Sequence, residues 1–372
     1  MKRRQINSLN QRGWTLIELM VVTALIAIIT PSMTYLFTKV EQGMAADEMH
    51  TQLQKLNEAT FLRVHDRLLT SRRFFQNDSS GVSFLGRMVR GASAPPTLVN
   101  SHLAKVQNNS GSFSPVTATS GDFGNSMFFV GYDTPTTINN LGYNAPVTVK
   151  GGTVNYGASN GSGPATIIID VYRFYYFYLT ATSSPVSLVK GSFSLPLYRL
   201  VEWRSVQFAD FYQLDGMTDG TLKTNVVTWL ATAANFPGSA PVTLAWDHTQ
   251  TDPALAFYSL DTAGNINFQG SQNINEASWA NISKSSSGIL TGGFNYGISG
   301  NVTGGGELPT EVKVPMYAAA NSPYPGGFEV GLSGGSGIGK QVLFRSLLLA
   351  KGGSPRVVLN DNTSIVNIRD VW

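Results

Sequence analysis

The chain has 372 residues, with 26 Lys and Arg against 23 Asp and Glu, and no cysteine. The absence of cysteine excludes disulfide bonds and thiolate chemistry, so stability must come from burial. The first 13 residues hold Lys2, Arg3, Arg4 and Arg12 and no acid; the remaining 22 basic and 23 acidic residues balance, which does not indicate a nucleic-acid partner. With 38 Gly and a charged fraction of 13%, the composition is typical of a turn-rich β domain.

An apolar segment runs from Trp14 to Phe37 and contains a single acid, Glu18. As a helix it would rise about 36 Å, enough to cross a hydrocarbon core of about 30 Å. The basic flank precedes this segment, and positive charge stays on the cytoplasmic side of a membrane. The sequence therefore predicts a single-pass protein of the inner (cytoplasmic) membrane, with everything after Phe37 outside the cytoplasm.

Glu18 is the unusual residue of this segment. An ionised carboxylate in lipid costs about 2.5–3.5 kcal/mol, so it implies a cationic partner. Cleavage after Gly13 would create one, because the new α-amino group on Trp14 lies one helical turn before Glu18. The amine of a neighbouring subunit is a second source of that charge. The remaining alternative is a plain membrane anchor in which Glu18 reaches the head groups.

The residues from Gly13 to Val22, Gly-Trp-Thr-Leu-Ile-Glu-Leu-Met-Val-Val, resemble the class III signal peptide of type IV prepilins and type II secretion pseudopilins. In that family a prepilin peptidase cuts after the glycine, the new terminus is methylated, and the glutamate guides assembly. The resemblance implies that Gly13 is the cleavage residue, Trp14 the methylated terminus and Glu18 the assembly acid. It also implies four partners: prepilin peptidase, other pilin or pseudopilin subunits, an inner-membrane assembly platform and the lipid bilayer.

The sequence divides into a leader (1–13), a transmembrane or assembly helix (14–37), an amphipathic helical stem (38–78) and an exported head (79–372). In the stem, small or apolar residues recur at three- and four-residue spacings with charged residues largely between them, which predicts one covered face. These residues are Met49, Leu53, Leu56, Thr60, Val64 and Leu68.

The helical rod is expected to reach about Phe75. It should bend or locally melt near Pro31 and Gly43, because proline removes a helical hydrogen bond and glycine lowers helix propensity.

The head is predicted to be rich in β-strands, which gives an α+β fold with a long N-terminal helix packed on an antiparallel sheet. The run 165–180 is bulky on both faces and predicts a central strand, with 195–208 returning beside it. This pair resembles the heads of PilW-like minor pilins and J-type pseudopilins. Residues 215–310 are interpreted as an insertion of β-hairpins and loops. The other predicted elements are a short helix at 82–89 and strands at 126–132, 311–318, 327–332, 341–350 and 356–371.

One motif has the spacing of a phosphate-binding loop, from Gly334 to Lys340. The position after the lysine is Gln341, where such loops need a hydroxyl for magnesium, and a strand is predicted to follow instead of a helix. The sequence therefore favours a glycine-rich hairpin turn.

Other candidates for chemistry are weaker. The histidines His50, His65, His102 and His248 are scattered along the chain, and no catalytic, cofactor or metal site is predicted. Two acidic turns could offer oxygen ligands to calcium, although neither spacing matches a calcium loop: Asp247-His248 with Asp252, and Asp215 with Asp219 and Gly220. The aromatic run from Tyr172 to Tyr178 could stack on DNA bases, but without a basic patch it favours core packing.

The sequence thus predicts a non-enzymatic filament subunit, a minor pilin or pseudopilin assembled through its N-terminal helix. The alternative is a pilin-anchored surface adhesin or ligand-binding module in which residues 215–310 do the work. An anchored exported enzyme is a third possibility for which no site is identified.

Overall fold

The computed structural model describes residues 15–88, 102–106, 123–138, 147–149, 152–154, 167–181, 188–190, 193–195, 197–237, 239–270, 295–297, 327–334, 339–352 and 356–368. Four α-helices lie within these ranges: α1 Leu16–Leu69, α2 Ser79–Met88, α3 Phe211–Asp215 and α4 Gly220–Ala231. The strands there are β1 Ser71–Phe75, β2 Met127–Tyr132, β3 Thr136–Ile138, β4 Val147–Val149, β5 Gly152–Val154, β6 Ile167–Ile169, β7 Val171–Ala181, β8 Leu188–Lys190, β9 Phe193–Leu195, β10 Leu197–Arg204, β11 Phe208–Asp210, β12 Leu244–Trp246, β13 Phe257–Leu260, β14 Ile266–Phe268, β15 Asn295–Gly297, β16 Phe328–Ser333, β17 Lys340–Gly352 and β18 Arg356–Ile368.

Helix α1 is one continuous element of 54 residues, about 80 Å long at 1.5 Å per residue. The predicted local melting is wrong, since the helix runs unbroken through Pro31 and Gly43. The predicted end is also wrong: α1 stops at Leu69, and residues 71–75 form strand β1 instead of continuing the helix. Strand β1 ends with Phe74 and Phe75, and both side chains are buried.

Twelve strands of the described chain form one sheet, with β7 in its middle. Strand β2 pairs antiparallel along one edge of β7, while β10 and then β11 follow the other edge. These pairs confirm the predicted central strand and its antiparallel return, although Asp170 interrupts the predicted strand and separates β6 from β7. Beyond β10 the sheet continues through β15 to β17, which β16 and β18 flank; beyond β11 it continues through β12, β13 and β14.

Both faces of the sheet are buried around β7, whose side chains alternate between them. Tyr175 and Phe177 point to the face covered by α1, which we call the helix face. Phe174 and Tyr176 point to the opposite face, where they meet Phe84 of α2 and other aromatic rings. Each buried aromatic side chain removes about 150–250 Å² from water, so this double layer supplies a large part of the core. The aromatic run is therefore core packing, as the sequence favoured, and its buried rings offer no platform for bases.

The described part of 215–310 differs from its prediction. The apolar run 226–230 lies in helix α4 and not in a β-hairpin. Helix α4 shares a hydrophobic cluster with β12, β13 and β14, which extend the main sheet. The parallel pair of β11 with β12 joins this region to the rest of the head. The status of 215–310 as an insertion stays a prediction.

The remaining predicted elements are confirmed where the structure describes them. Helix α2 and strands β2, β16, β17 and β18 occupy the predicted positions, with β18 ending at Ile368. The predicted strand at 311–318 lies outside the described residues.

Candidate functional site

The candidate site is the start of helix α1, where Thr15 and Glu18 cap each other. Thr15 is the N-cap, and its hydroxyl oxygen accepts a hydrogen bond from the Glu18 amide at 3.2 Å. In return the Glu18 carboxylate accepts from the Thr15 amide at 2.9 Å and from the Thr15 hydroxyl at 3.1 Å. This is a capping box, which satisfies two of the amides that a helix start leaves unpaired. Its pattern, Thr-x-x-Glu, is readable in the sequence, although the role predicted for Glu18 rested on its charge alone.

The capping box fixes the direction of the Glu18 side chain. The carboxylate is held toward the N-terminal end of α1, within 2.9 Å of the amide of residue 15. An α-amino group on Trp14 would belong to the residue that immediately precedes this amide. Gly13 and Trp14 lie outside the described residues, so their predicted roles in processing stay predictions. The Glu18 carboxylate therefore faces the N-terminal end of α1, and its role in assembly stays a prediction.

The first half of α1 packs against no part of the described head. Residues 15–41 are all exposed, including large apolar side chains such as Leu16, Ile17 and Met20. By length and composition this helix can cross a membrane. Hydroxyl groups within it are satisfied by carbonyl oxygens one turn earlier, since Thr23 and Ser32 donate to Leu19 O and Ile28 O. Those side chains therefore do not need water to satisfy their hydrogen bonds.

The second half of α1 docks on the helix face of the sheet. Leu53, Phe61, Val64 and Leu68 are buried against it, which confirms that one side of the stem is covered by the head. The predicted face omitted Asn57, which is fully buried.

Asn57 holds the helix to the C-terminal strands through its side-chain amide. Its nitrogen donates to the side-chain oxygen of Asn360 on β18 at 2.6 Å, and its oxygen accepts from the hydroxyl of Ser346 on β17 at 2.6 Å. A buried amide with both ends bonded is satisfied and fixes the register between helix and sheet. The stem can therefore dock at one height only without breaking these bonds.

A second polar contact joins the stem to the middle of the sheet. The buried carboxylate of Glu202 on β10 pairs with Arg63 at 2.7 Å and with Arg67 at 3.2 Å. The Arg67 guanidinium also lies 5.0 Å from the ring centre of Tyr175. We call Glu202, Arg63 and Arg67 the stem clamp. The sequence pattern places charged residues largely between the apolar positions of the stem, and it carries no signal that Glu202 lies opposite them.

The described end of the phosphate-loop candidate leads into a strand, whereas such a loop leads into a helix. Lys340 begins strand β17, as the sequence predicted, and its ammonium donates to Phe74 O at 3.4 Å. Gly334 and Gly339 have φ angles of 107° and 87°, which suit glycine in a turn. Residues 335–338 lie outside the described residues.

In the two acidic turns, the carboxylates accept hydrogen bonds from nearby backbone amides or pair with a lysine. Asp219 caps α4 by accepting from the Leu222 amide at 2.8 Å, and Asp215 pairs with Lys223 at 3.4 Å. In the other turn, Asp247 accepts from the Thr249 amide at 3.0 Å and Asp252 from the Ala254 amide at 2.8 Å. Within the ranges that the structure describes, no three His, Asp or Glu side chains gather as metal ligands.

The histidines have separate surroundings. His50 and His65 lie on α1, and His102 contacts the Asn77 side chain at 3.0 Å. His248 is buried, with its Nδ1 atom 3.1 Å from the Asp210 carboxylate. The contacts of His102 and His248 thus involve different neighbours.

Comparison with known proteins identifies the N-terminal segment alone. A family model described as the prokaryotic N-terminal methylation motif matches residues 8–30, which include Gly13, Trp14 and Glu18. No curated protein and no solved structure matches the chain. Together with the exposed apolar helix, the motif supports a type IV pilin-like precursor that prepilin peptidase processes and that α1 anchors in a membrane.

Proposed function

We propose that this chain is a minor subunit of a type IV pilus or type II secretion filament, with a structural and not an enzymatic role. The observation that carries the proposal is the start of α1. There the capping box holds Glu18 at the N-terminal end of an apolar helix segment that the described head leaves exposed. An exposed apolar helix needs either lipid or other helices around it, and a filament subunit meets both in turn.

The proposed sequence of events begins in the inner membrane, with the head outside the cytoplasm. Prepilin peptidase cleaves after Gly13, the amine of Trp14 is methylated, and α1 then leaves the bilayer at the assembly platform to pack among other subunits. Between apolar helices in lipid there is no hydrophobic driving force, so helix packing and charge pairing must select the partner. Glu18 paired with a terminal amine supplies that selection.

The size of the head favours a minor subunit, such as a priming or tip component. Its described part carries a twelve-stranded sheet with α-helices on both faces. Such a head on every subunit would crowd a helical lattice. The shared signal does not separate a pilus from a secretion filament; cross-linking of the tagged chain in cells, followed by mass spectrometry of its partners, assigns the machinery.

The decisive test separates the charge of Glu18 from its capping bonds. Glu18→Gln keeps a side-chain oxygen that can accept from the Thr15 amide, because glutamine also serves at this position of a capping box. Thr15→Ala removes the hydroxyl half of the box and keeps the charge. We expect both variants to insert and to be cleaved, and only Glu18→Gln to lose incorporation into filaments.

The measurements are N-terminal mass spectrometry of the mature chain and its recovery in sheared or overproduced filaments. A mature chain that still begins before Trp14 would refute processing at Gly13. Incorporation of Glu18→Gln at the level of the unaltered chain would remove the carboxylate charge from assembly.

The adhesin alternative is favoured by one exposed aromatic side chain. Phe268, at the edge of the sheet on β14, is 54% exposed and lies 5.5 Å from the ring centre of Tyr258. Deleting 215–310 would also remove four strands of the sheet, β12 to β15, so Phe268→Ser is the cleaner change. Lost adhesion with normal filaments would support the module, and unchanged adhesion would leave the structural role.

A further inference from the structure

The exposed half of α1 has charged residues at both ends of an uncharged stretch. From Leu19 to Thr38 there is no Asp, Glu, Lys, Arg or His, and Glu18 and Lys39 stand directly on either side. At 1.5 Å per residue this stretch spans about 30 Å, the thickness of the hydrocarbon core of a bilayer. The two charges are therefore separated by about one membrane thickness.

At the outer end of this stretch, Lys39 is paired with an aromatic ring. The Lys39 ammonium lies 5.5 Å from the ring centre of Tyr35, one helical turn earlier. Tyr35 is 66% exposed and Lys39 is also exposed, so the described head covers neither. The ring and the aliphatic stem of lysine are apolar, whereas the hydroxyl and the ammonium are polar, which suits a membrane interface.

The docked part of the stem begins well beyond this pair. Leu53 is fully buried against the head, and it lies about 21 Å farther along the helix than Lys39. Tyr35 and Lys39 therefore lie between the uncharged stretch and the head, at the level where phospholipid head groups would be.

We propose that Tyr35 and Lys39 form an outer head-group anchor that binds phospholipid phosphate and fixes the depth of α1 in the bilayer. The inference rests on the membrane-resident precursor of the proposed function. With the anchor in place, Glu18 lies at the inner boundary of the hydrocarbon, close to the water phase from which Gly13 would be cleaved. Without it, α1 can slide inward until Glu41, two residues farther on, reaches the boundary; this distance is about 3 Å.

Site-directed spin labelling tests this inference on the full chain. Because the sequence contains no cysteine, a single introduced cysteine is the only thiol available for labelling. One label replaces Leu25, in the inner half of the stretch, and another replaces Met33, in the outer half; both positions are exposed. Depth is measured from collisions with oxygen and with a water-soluble nickel chelate, in vesicles of phosphatidylethanolamine and phosphatidylglycerol.

In the Tyr35→Ala, Lys39→Gln double variant, we expect the label at position 25 to become shallower and the label at position 33 deeper, each by about 3 Å. These opposite shifts identify sliding, whereas thinning of the bilayer would move both labels in the same direction and would contradict the anchor. Lys39→Arg should restore the depth, and Lys55→Gln, which removes a charge from the exposed stem, should leave it unchanged.

Two other results have separate meanings. Labels that stay at the same depth in the double variant overturn the anchor while leaving the membrane span intact. Labels that are fully accessible to the nickel chelate in the unaltered background overturn the membrane residence on which the proposed function also depends.

Discussion

The stem clamp predicts an asymmetric response to mutation. The Glu202 side chain is only 4% exposed, whereas Arg63 is 44% and Arg67 23% exposed. If Glu202 becomes Gln, the two arginines lose a charged partner but can recover water at the surface. If both arginines become Met, the carboxylate stays buried without them. The double arginine variant, which keeps the buried charge of Glu202, should therefore be much less stable than Glu202→Gln.

The magnitudes follow from the burial of each group. A hydrogen bond to a charged group contributes about 1.5–3 kcal/mol, and resolvation of the partly exposed arginines offsets part of that, so Glu202→Gln should cost about 1–2 kcal/mol. An uncompensated buried charge costs about 3–5 kcal/mol, which is the expected loss for Arg63→Met with Arg67→Met. Adding Glu202→Leu to that pair removes the buried charge and should restore most of the loss.

The assay is urea unfolding of the detergent-solubilised full chain, followed by tryptophan fluorescence. Trp203 follows Glu202 on β10 and is buried on the opposite face of the sheet, so its signal should report unfolding of this strand. The control is Glu58→Gln, an exposed carboxylate of the same helix, which should change stability by less than about 0.5 kcal/mol. A larger loss for Glu202→Gln than for the arginine pair, or no recovery in the triple variant, would refute the electrostatic account of the clamp.

Three further predictions concern the backbone and the pH dependence of stability. Gly264 has a φ of 85°, and a Cβ atom there would lie 2.3 Å from Thr224 Cγ2, so Gly264→Ala should lower the free energy of unfolding by about 1–3 kcal/mol in urea titrations. Gly43→Ala meets nothing within 4 Å on α1 and should raise the helix content or the melting temperature, since alanine is favoured there by about 1 kcal/mol. Burial and the hydrogen bond to Asp170 raise the pKa of Tyr132 to about 12, above the value near 10 of an unfolded chain, so its contribution is complete below pH 10 and is lost as the pH rises toward 12. Unfolding free energies measured across that range should fall less steeply in Tyr132→Phe; equal slopes would contradict this assignment.

The parts of the fold that sequence predicted are those set by local pattern. The apolar segment around Glu18 predicted a helix long enough to span a membrane. The aromatic run 172–178 predicted a strand buried on both faces, because its side chains alternate and nearly all are bulky. The capping box at Thr15 was equally local and equally readable. Helix α4 was missed because a short apolar run fits either element, although Asp219 offered an N-cap signal before it.

The contacts that orient the head could not be predicted in the same way. Glu202 lies 139 residues from Arg63 and 135 from Arg67 along the chain. Asn57 bonds to residues 289 and 303 positions away. No local pattern brings such residues together; the pairing appears only once β7 and β10 have placed the sheet under the helix. A buried polar residue on an otherwise apolar helix face is a signal that a partner exists, but it does not say where in the sequence the partner lies.

The two halves of α1 show how, in the proposed function, one residue near the N-terminus would control assembly. From Leu53 onward the helix is stabilised by the head, whereas the first half exposes large apolar residues that would each lose about 1.5–3 kcal/mol in water. In the proposed function that half passes directly between lipid and a bundle of other helices, and its apolar residues are equally satisfied in both. The free-energy difference between the two environments then depends on groups that distinguish them, chiefly the Glu18 carboxylate and any amine that meets it. A change at Glu18 should accordingly alter the transfer from lipid to filament and leave insertion and folding of the head as they were.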